Sequence, residues 1–201
     1  MPTITPCLWF DNNLEEAAEF YVSVFPNSSI EGFTAYTEAG PAETGSVAFG
    51  TFVLDGQRFM GINGGPHFHF TEAVSFEVRC ADQTEVDHYW NALREGGGKE
   101  KPCGWLEDRF GLSWQIVPER LYELVQDPDP AVADAANRAM YGMHKIVIAD
   151  DEPNILVSLE YLMKREGHTV VLARDGHEAL EAMAQGRVLV ATVDSPGAGR
   201  P

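Results

Sequence analysis

Apolar and polar positions alternate along the first part of the chain in a way that predicts a strand, a helix and three more strands. Residues 3–10 predict the first strand, and residues 14–25 predict a helix that Asn12 or Asn13 can cap. Pro26 ends the helix, because proline cannot continue it. The three further strands are predicted at residues 28–37, 45–54 and 57–63.

The same order of elements begins again near residue 73. Residues 73–80 predict a strand and residues 84–95 a helix capped by Asp82. A hairpin follows, with strands at residues 101–106 and 112–118 and a turn at residues 108–111. Sliding the sequence by 69 residues places Glu16, Phe20 and Tyr21 over Glu85, Tyr89 and Trp90. A repeat at a fixed offset indicates two similar β-α-β units that share one core, and therefore an α+β domain.

Two short helices are predicted next, at residues 119–125 and 131–141, and then the pattern changes. From residue 145 the order becomes strand, helix, strand, helix, strand, which is typical of a parallel sheet. Three strands leave such a sheet incomplete. The sequence therefore predicts two parts, a first domain at residues 1–142 and an incomplete βαβαβ segment with an irregular tail at residues 143–201.

Charge narrows the range of partners. The 201 residues contain 31 acids and 14 Lys and Arg, a formal charge of −17. This charge repels phosphate backbones, so neither nucleic acid nor an anionic membrane is expected as a partner. No signal peptide and no apolar run long enough to cross a membrane is seen. Three widely spaced cysteines fit reduced thiols, and we expect a cytoplasmic protein.

Four segments carry a resemblance to a known family: PCLWFDNNLEEAAEFYVSVFPNSSI, LDGQRFMGINGGP, FTEAVSF and PCGWLEDRFGLSWQIVP. They resemble the PhnB-like branch of the vicinal-oxygen-chelate superfamily, which includes glyoxalase and bleomycin-resistance proteins. The resemblance spans residues 3–141. It implies paired βαβββ modules that form a cupped mixed sheet around a cavity, in a chain that pairs as a homodimer.

In metal-using members of the superfamily, the first and last strands of each module supply the ligands. The resemblance places Thr5, Ser75 and Gln115 at three of these positions, and Met60 or Ile62 at the fourth. Two hydroxyls and an amide make a poor site for a divalent transition metal, which prefers imidazole, carboxylate or thiolate ligands. We therefore expect no metal and no other cofactor in the cavity.

Eight residues are predicted to line the cavity, because they lie on the strands that the family uses for it: Thr5, Cys7, Trp9, Ser75, Cys103, Trp105, Trp114 and Gln115. Two interpretations stay open for the larger ones. The tryptophans can be core residues and the cysteines small buried hydrophobes. Alternatively, Cys103, beside Pro102 and Trp105, contacts the ligand or reacts with it.

Members of this branch often carry the label 3-demethylubiquinone-9 3-methyltransferase. A methyltransferase must hold its methyl donor, yet GINGGP follows a strand without opening a helix, unlike a Rossmann-type turn. His67 and His69 are interpreted as solvated loop histidines, and Asp108 with Arg109 as a local ion pair. The residues leave open whether any reaction is catalysed.

The segment MHKIVIADDEPNILVSLEYLMKREGHTVVLARDGHEALEAM resembles the first half of a response-regulator receiver. That resemblance implies a Mg²⁺ site at Asp150 and Asp151 and a phosphoacceptor at Asp194. The Ser/Thr and Lys of the later receiver strands are not found after Asp194, so we expect the segment to be non-functional.

The function predicted from the sequence is that of a cavity protein that binds, or acts on, an unknown small molecule. The alternative is a phosphorelay fusion in which Asp194 is phosphorylated and Mg²⁺ is the cofactor of the receiver-like segment.

Overall fold

A computed structural model describes residues 3–148. The receiver-like segment, with Asp150, Asp151 and Asp194, lies outside the described residues. The Mg²⁺ site and the phosphoacceptor therefore stay predictions.

The first half forms the predicted strand, helix and three strands. Its elements are β1 (Cys7–Phe10), α1 (Leu14–Val24), β2 (Ser29–Ala35), β3 (Val47–Leu54) and β4 (Gln57–Asn63). They build a four-stranded sheet in the order β1-β4-β3-β2. In this sheet β1 runs parallel to β4, whereas β3 is antiparallel to both β2 and β4. The parallel pair needs the α1 crossover, because two adjacent parallel strands cannot be joined by a tight turn.

The second half repeats this arrangement. Its elements are β5 (Ser75–Cys80), α2 (Gln83–Arg94), β6 (Lys99–Glu100), β7 (Trp105–Glu107) and β8 (Ser113–Pro118), followed by α3 (Glu119–Val125) and α4 (Pro130–Tyr141). The sheet order is β5-β8-β7-β6, the same path as in the first sheet. The structure thus confirms an α+β fold with two four-stranded mixed sheets, as expected for paired βαβββ modules.

The predicted strand at residues 101–106 is wrong in its bounds. Only Lys99–Glu100 and Trp105–Glu107 are extended in the ladder. Between them Cys103 and Gly104 have φ angles of 62° and 79°. Two successive residues in the left-handed region turn the backbone sharply and interrupt a strand.

The sequence predicts the N-terminal cap of α2 correctly and misses that of α1. At α2 the Glu85 amide donates to Asp82 Oδ1 at 3.0 Å, and the Glu85 carboxylate accepts from the Ala81 amide at 2.8 Å, a reciprocal capping box. At α1 neither Asn12 nor Asn13 provides a side-chain cap. The Leu14 amide instead donates to Asn63 Oδ1 at 3.0 Å, so a residue at the end of β4 caps α1.

The described chain divides into two compact units. The first contains residues up to Phe76 together with Asn91–Lys99 and Glu107–Trp114. The second contains Glu77–Trp90, Glu100–Leu106 and the described residues from Gln115 onward. In the first unit α1 buries Leu14, Ala17 and Tyr21 completely. Gly61 permits this close packing, because a Cβ at that position would overlap the Leu14 side chain.

In the second unit, residues 143–148 form a segment without helix or strand, which we call the terminal strap. Ile146 is 1% exposed and shares a core cluster with Val117 and Leu121. The Cys103 and Gly104 amides donate to the carbonyls of the strap's first two residues, each at 2.7 Å. The strap, which the sequence assigns to the receiver-like segment, thus completes the core of this unit.

Two side chains of α2 hold the terminal strap in register. Gln83 Oε1 accepts a hydrogen bond from the Ile148 amide at 2.9 Å. Lys145 Nζ pairs with Asp87 Oδ1 at 2.7 Å. The strap is therefore fixed by backbone bonds, side-chain bonds and apolar burial together.

Among residues 3–148, no helix has the length and apolar character that a membrane span requires. The predicted cytoplasmic location and the predicted homodimer concern the chain in its surroundings, and both stay predictions.

Candidate functional site

A pocket of about 240 Å³ lies at the end of β1, and all its lining residues belong to the first unit. They come from three places: the β1–α1 junction, the segment between β4 and β5, and the β7–β8 turn. The lining residues are Trp9, Phe10, Asp11, Asn13, Phe68, His69, Phe70, Glu107, Phe110 and Gly111. Aromatic rings and a few polar groups thus converge from distant parts of the sequence, as in small-molecule sites.

The β1–α1 junction is held by Asn63. Its side-chain amide accepts from the Leu14 amide and donates to the Val47 carbonyl at 3.1 Å. Its main-chain carbonyl accepts from the Tyr36 hydroxyl at 2.7 Å. Asn63 is 5% exposed, and these bonds fix the chain where Asp11 and Asn13 enter the pocket.

The segment between β4 and β5 folds back over Trp9. The Trp9 indole Nε1 donates to the Gly65 carbonyl at 2.8 Å. The ring lies directly on Gly64, where any Cβ would overlap it. Phe68 meets Trp9 edge to face at 4.9 Å between ring centroids. Phe70 contacts Phe10 in the same manner at 5.5 Å, so two aromatic pairs close this side of the pocket.

The β7–β8 turn is held by a buried carboxylate. Asp108 is 2% exposed, and its Oδ2 accepts from the Tyr21 hydroxyl and from the Trp114 indole, both at 2.8 Å. Its Oδ1 accepts from the Phe110 amide at 2.8 Å and from the Leu112 amide at 3.0 Å. These bonds attach the turn to α1 and β8, and they set the position at which Phe110 enters the pocket.

Asp108 and Arg109, which the sequence predicts to form a local ion pair, instead interact with different partners. Asp108 points inward to its hydrogen-bond donors. The Arg109 guanidinium lies 3.1 Å from a Glu16 carboxylate oxygen. It also lies over the rings of Phe20 and Phe110, at 4.4 Å and 4.9 Å from their centroids. The turn directs neighbouring side chains to opposite sides, which sequence adjacency does not reveal.

Burial raises the pKa of Asp108 above its ordinary value of 3.8, although the hydrogen bonds from Trp114, Tyr21 and the two amides act in the opposite direction. Burial also raises the pKa of Tyr21 well above its ordinary value, and the Asp108 charge adds to this effect. Tyr21 therefore stays a protonated hydroxyl donor at neutral pH.

We expect the stability difference between the wild type and Asp108→Asn to narrow as the pH rises from about 4 to 7. The pKa of Asp108 is higher in the folded state than in the unfolded state. The protonated carboxyl therefore stabilises the fold fully at pH values below the unfolded-state pKa, and this stabilisation is lost as the pH rises past the folded-state pKa. Urea unfolding of both proteins across this range measures the difference. A difference that widens with pH would show that the four donors outweigh burial.

The pocket carries negative charge. Asp11 and Glu107 supply carboxylates, His69 supplies an imidazole, and the lining residues include no lysine or arginine. Lys99 Nζ pairs with Glu107 at 2.7 Å, but 71% of the Lys99 side chain is exposed. Such an exposed pair contributes about 0–1 kcal/mol, so a ligand can displace the lysine from Glu107.

The eight residues predicted to line the cavity take up different positions. Trp9 lines the pocket described above. Trp114 is 3% exposed and packs in an aromatic core against Tyr21 and Phe25. Cys7 is exposed, and the other five are half-buried: Thr5, Ser75, Cys103, Trp105 and Gln115. A role of these residues in a ligand cavity stays a prediction.

The metal positions of the superfamily hold residues that do not fit a divalent transition metal. Thr5, Ser75 and Gln115 offer two hydroxyls and an amide, and Met60 or Ile62 offers no hard donor. Within residues 3–148, no group of three or more His, Cys, Asp or Glu side chains comes together as a metal site would require. We derive no chemistry through a metal.

Two thiols are poorly suited to nucleophilic chemistry. Burial raises the pKa of Cys80 to about 12, with contributions from Glu85 and Asp82. Burial also raises the pKa of Cys7 above its ordinary value. Because the thiolate is the reactive form, the raised pKa values lower the reactivity of both residues at neutral pH.

The sequence predicts Trp9 as a cavity residue but not the residues that surround it. His69, predicted to be a solvated loop histidine, is exposed and also lines the pocket. The available signal was the aromatic and histidine pattern FHF, which follows a pair of glycines that let the backbone approach a tryptophan. Asp11 and Asn13 directly follow a buried strand, which is a second signal.

Comparison with known families decides the identity of this fold. A family model described as 3-demethylubiquinone-9 3-methyltransferase matches residues 2–117, more than half of the chain. The chain belongs to this family. Its first part is a PhnB-like domain of the vicinal-oxygen-chelate type, as the sequence predicted. Among curated proteins, none matches the chain.

Solved structures include several that are similar to the PhnB-like domain. The PhnB protein from Bacillus cereus is 36% identical, and the match covers 58% of this chain and 99% of that chain with a TM-score of 0.53. Protein PA1353 from Pseudomonas aeruginosa is 21% identical, covers 59% and 98%, and has a TM-score of 0.49. The fosfomycin resistance protein FosX from Listeria monocytogenes is 15% identical, covers 61% and 97%, and has a TM-score of 0.43. None of these comparisons supports the receiver-like segment.

The family description names a methyl transfer, and the PhnB-like domain offers a test of it. The GINGGP segment ends β4 and continues as a loop, so it is not the strand-to-helix turn of a Rossmann-type donor site.

Proposed function

We propose that the PhnB-like domain binds a small organic molecule in the pocket at the end of β1. The observation that supports this most directly is the convergence of three distant segments on one pocket, each fixed by its own hydrogen bonds and packing contacts. Asn63 holds the β1–α1 junction, Gly64 and Gly65 hold Trp9, and Asp108 holds the β7–β8 turn. A site fixed before the ligand arrives loses little conformational entropy on binding.

The size and lining of the pocket restrict the ligand. Its volume of about 240 Å³ is below the range of drug-sized sites, which begin at roughly 300 Å³. Trp9, Phe68 and Phe110 provide apolar surface, and Asp11, Asn13 and Glu107 provide polar groups that fix orientation. We infer a compact ligand with an apolar body and a polar or charged end.

Removing the Phe68 ring should weaken ligand binding. We expect fragments that bind the full-length protein, detected by ligand-observed NMR, to lose about fivefold to tenfold in affinity in Phe68→Ala, since an aromatic contact contributes roughly 1–1.4 kcal/mol. Phe68 is 64% exposed, so the variant should keep its fold. Isothermal titration of the two proteins gives the ratio of dissociation constants.

The matched control is Phe33→Ala, which removes a partly exposed ring (36%) from β2, outside the pocket lining. It should leave fragment affinity unchanged. Equal losses in both variants, or no fragment binding to the wild type, would contradict the proposed function.

A further inference from the structure

We propose that the pocket selects small organic cations, such as quaternary ammonium or guanidinium compounds. This inference rests on the proposed function and adds the ligand class to it. Two of the lining residues, Asp11 and Glu107, carry carboxylates, and the one other ionisable lining residue is His69. Inside a concave site with apolar walls, carboxylates attract cations and repel anions. Glu107 is paired with the exposed Lys99, which a ligand cation would replace, and the net charge of −17 of the whole chain acts in the same direction.

The aromatic lining favours the same ligand class. The faces of Trp, Tyr and Phe rings attract cations that lack strong hydration, and quaternary ammonium groups are held in this way. Trp9, Phe68 and Phe110 provide such rings among the lining residues. Trp9 and Phe68 meet edge to face, an arrangement in which the two ring planes are 81° apart and form a corner.

One ring of the pocket already interacts with a cation. The Arg109 guanidinium lies 4.9 Å from the Phe110 centroid, within cation–π distance, and its charge is balanced by Glu16. A guanidinium is thus held by the Phe110 ring of the turn together with the Glu16 carboxylate of α1. A ligand cation in the pocket would meet a similar pair of groups, with Glu107 as the carboxylate and Trp9 or Phe68 as the ring.

The polar groups explain why the ligand should be small and hold its charge at one end. Asn13 offers both a donor and an acceptor beside Asp11. A ligand hydroxyl or carbonyl can bind there while the cationic group lies between the rings. Choline has this distribution of groups, and it serves as the probe. Its neutral isostere 3,3-dimethylbutan-1-ol has the same shape without the charge.

Titration calorimetry of both probes into the full-length protein, at low ionic strength, tests the inference. We expect choline to bind at least about tenfold more tightly than the isostere, the ratio that a desolvated cation–π contact produces. Asp11→Asn and Glu107→Gln should each weaken choline binding several-fold, and each should weaken binding of the neutral isostere by a smaller factor. Glu43→Gln, which removes an exposed carboxylate from the β2–β3 loop, should change neither affinity and so controls for the overall charge.

The possible results distinguish a failure of the cation inference from a failure of the proposed binding function. Equal binding of choline and its isostere, or an equal effect of Glu43→Gln and Asp11→Asn on choline, would overturn the selection for cations. If neutral or anionic fragments bind in a Phe68-dependent manner and choline does not, the cation inference fails while the proposed function stands. If no fragment and neither probe binds, both fail.

Discussion

Replacing Asp108 with alanine is expected to lower the free energy of unfolding by about 3–5 kcal/mol, the range found when one partner of a buried charged network is removed. The variant leaves the Tyr21 hydroxyl, the Trp114 indole and two backbone amides without their acceptor inside a closed core. Each buried donor that loses its partner costs about 1–3 kcal/mol, although water entering the site recovers part of this. The loss is a large share of the roughly 5–15 kcal/mol that stabilises a typical domain.

Thermal and urea unfolding of the full-length protein measure this effect. We expect the melting temperature to fall by on the order of 10 °C, given about 2–4 °C for each kcal/mol in a chain of this length. Asp134→Ala removes an exposed carboxylate from α4 and should shift stability by no more than about 0.5 kcal/mol. A similar small shift for Asp108→Ala would mean that the turn re-forms without the carboxylate.

Ending the chain at residue 142 is expected to destabilise the second unit strongly, whereas ending it at residue 148 is not. The shorter chain removes the terminal strap, and with it Ile146, which is 1% exposed among Val117 and Leu121. Deleting one such buried side chain costs about 2–5 kcal/mol. The Cys103 and Gly104 amides also lose the carbonyls to which they donate at 2.7 Å. We therefore expect residue 148 to be the earliest of these two end points at which the PhnB-like domain keeps its stability.

A comparison of melting curves for chains 1–142, 1–148 and 1–201 tests this. We expect 1–148 and 1–201 to share a transition for the PhnB-like domain, and 1–142 to melt at least about 10 °C lower. Ile146→Ala in the full chain should reproduce part of the loss, and His144→Ala, at an exposed strap position, should not. Equal melting of 1–142 and 1–148 would show that the strap adds nothing to the core.

The elements that the sequence predicts well are those specified by neighbouring residues. The Asp82 and Glu85 capping box defines the start of α2 because both partners lie within one turn. The predicted bounds of residues 119–125 agree with α3. The order of strands also follows from local signals, because each βαβββ module repeats the same succession.

The features that the sequence does not predict depend on partners far along the chain. The cap of α1 is Asn63, 49 residues away from Leu14, so the local choice between Asn12 and Asn13 missed it. Asp108 finds the Tyr21 hydroxyl across 87 residues. The pocket has the same origin, since its aromatic rings come together only when the β4–β5 segment folds back. Trp9 was nevertheless identifiable, because it alternates with buried residues on a strand that the family resemblance assigns to the cavity.

The contact between Trp9 and Gly64 gives the pocket an optical reporter of its own. An indole in contact with water emits at longer wavelength than one enclosed by apolar groups, and Trp9 is half-buried beside the pocket. A ligand that covers the exposed part of the ring would shift the Trp9 emission to the blue. The difference spectrum against Trp9→Phe isolates this signal from the other tryptophans, so ligand binding can be followed in time without an attached dye.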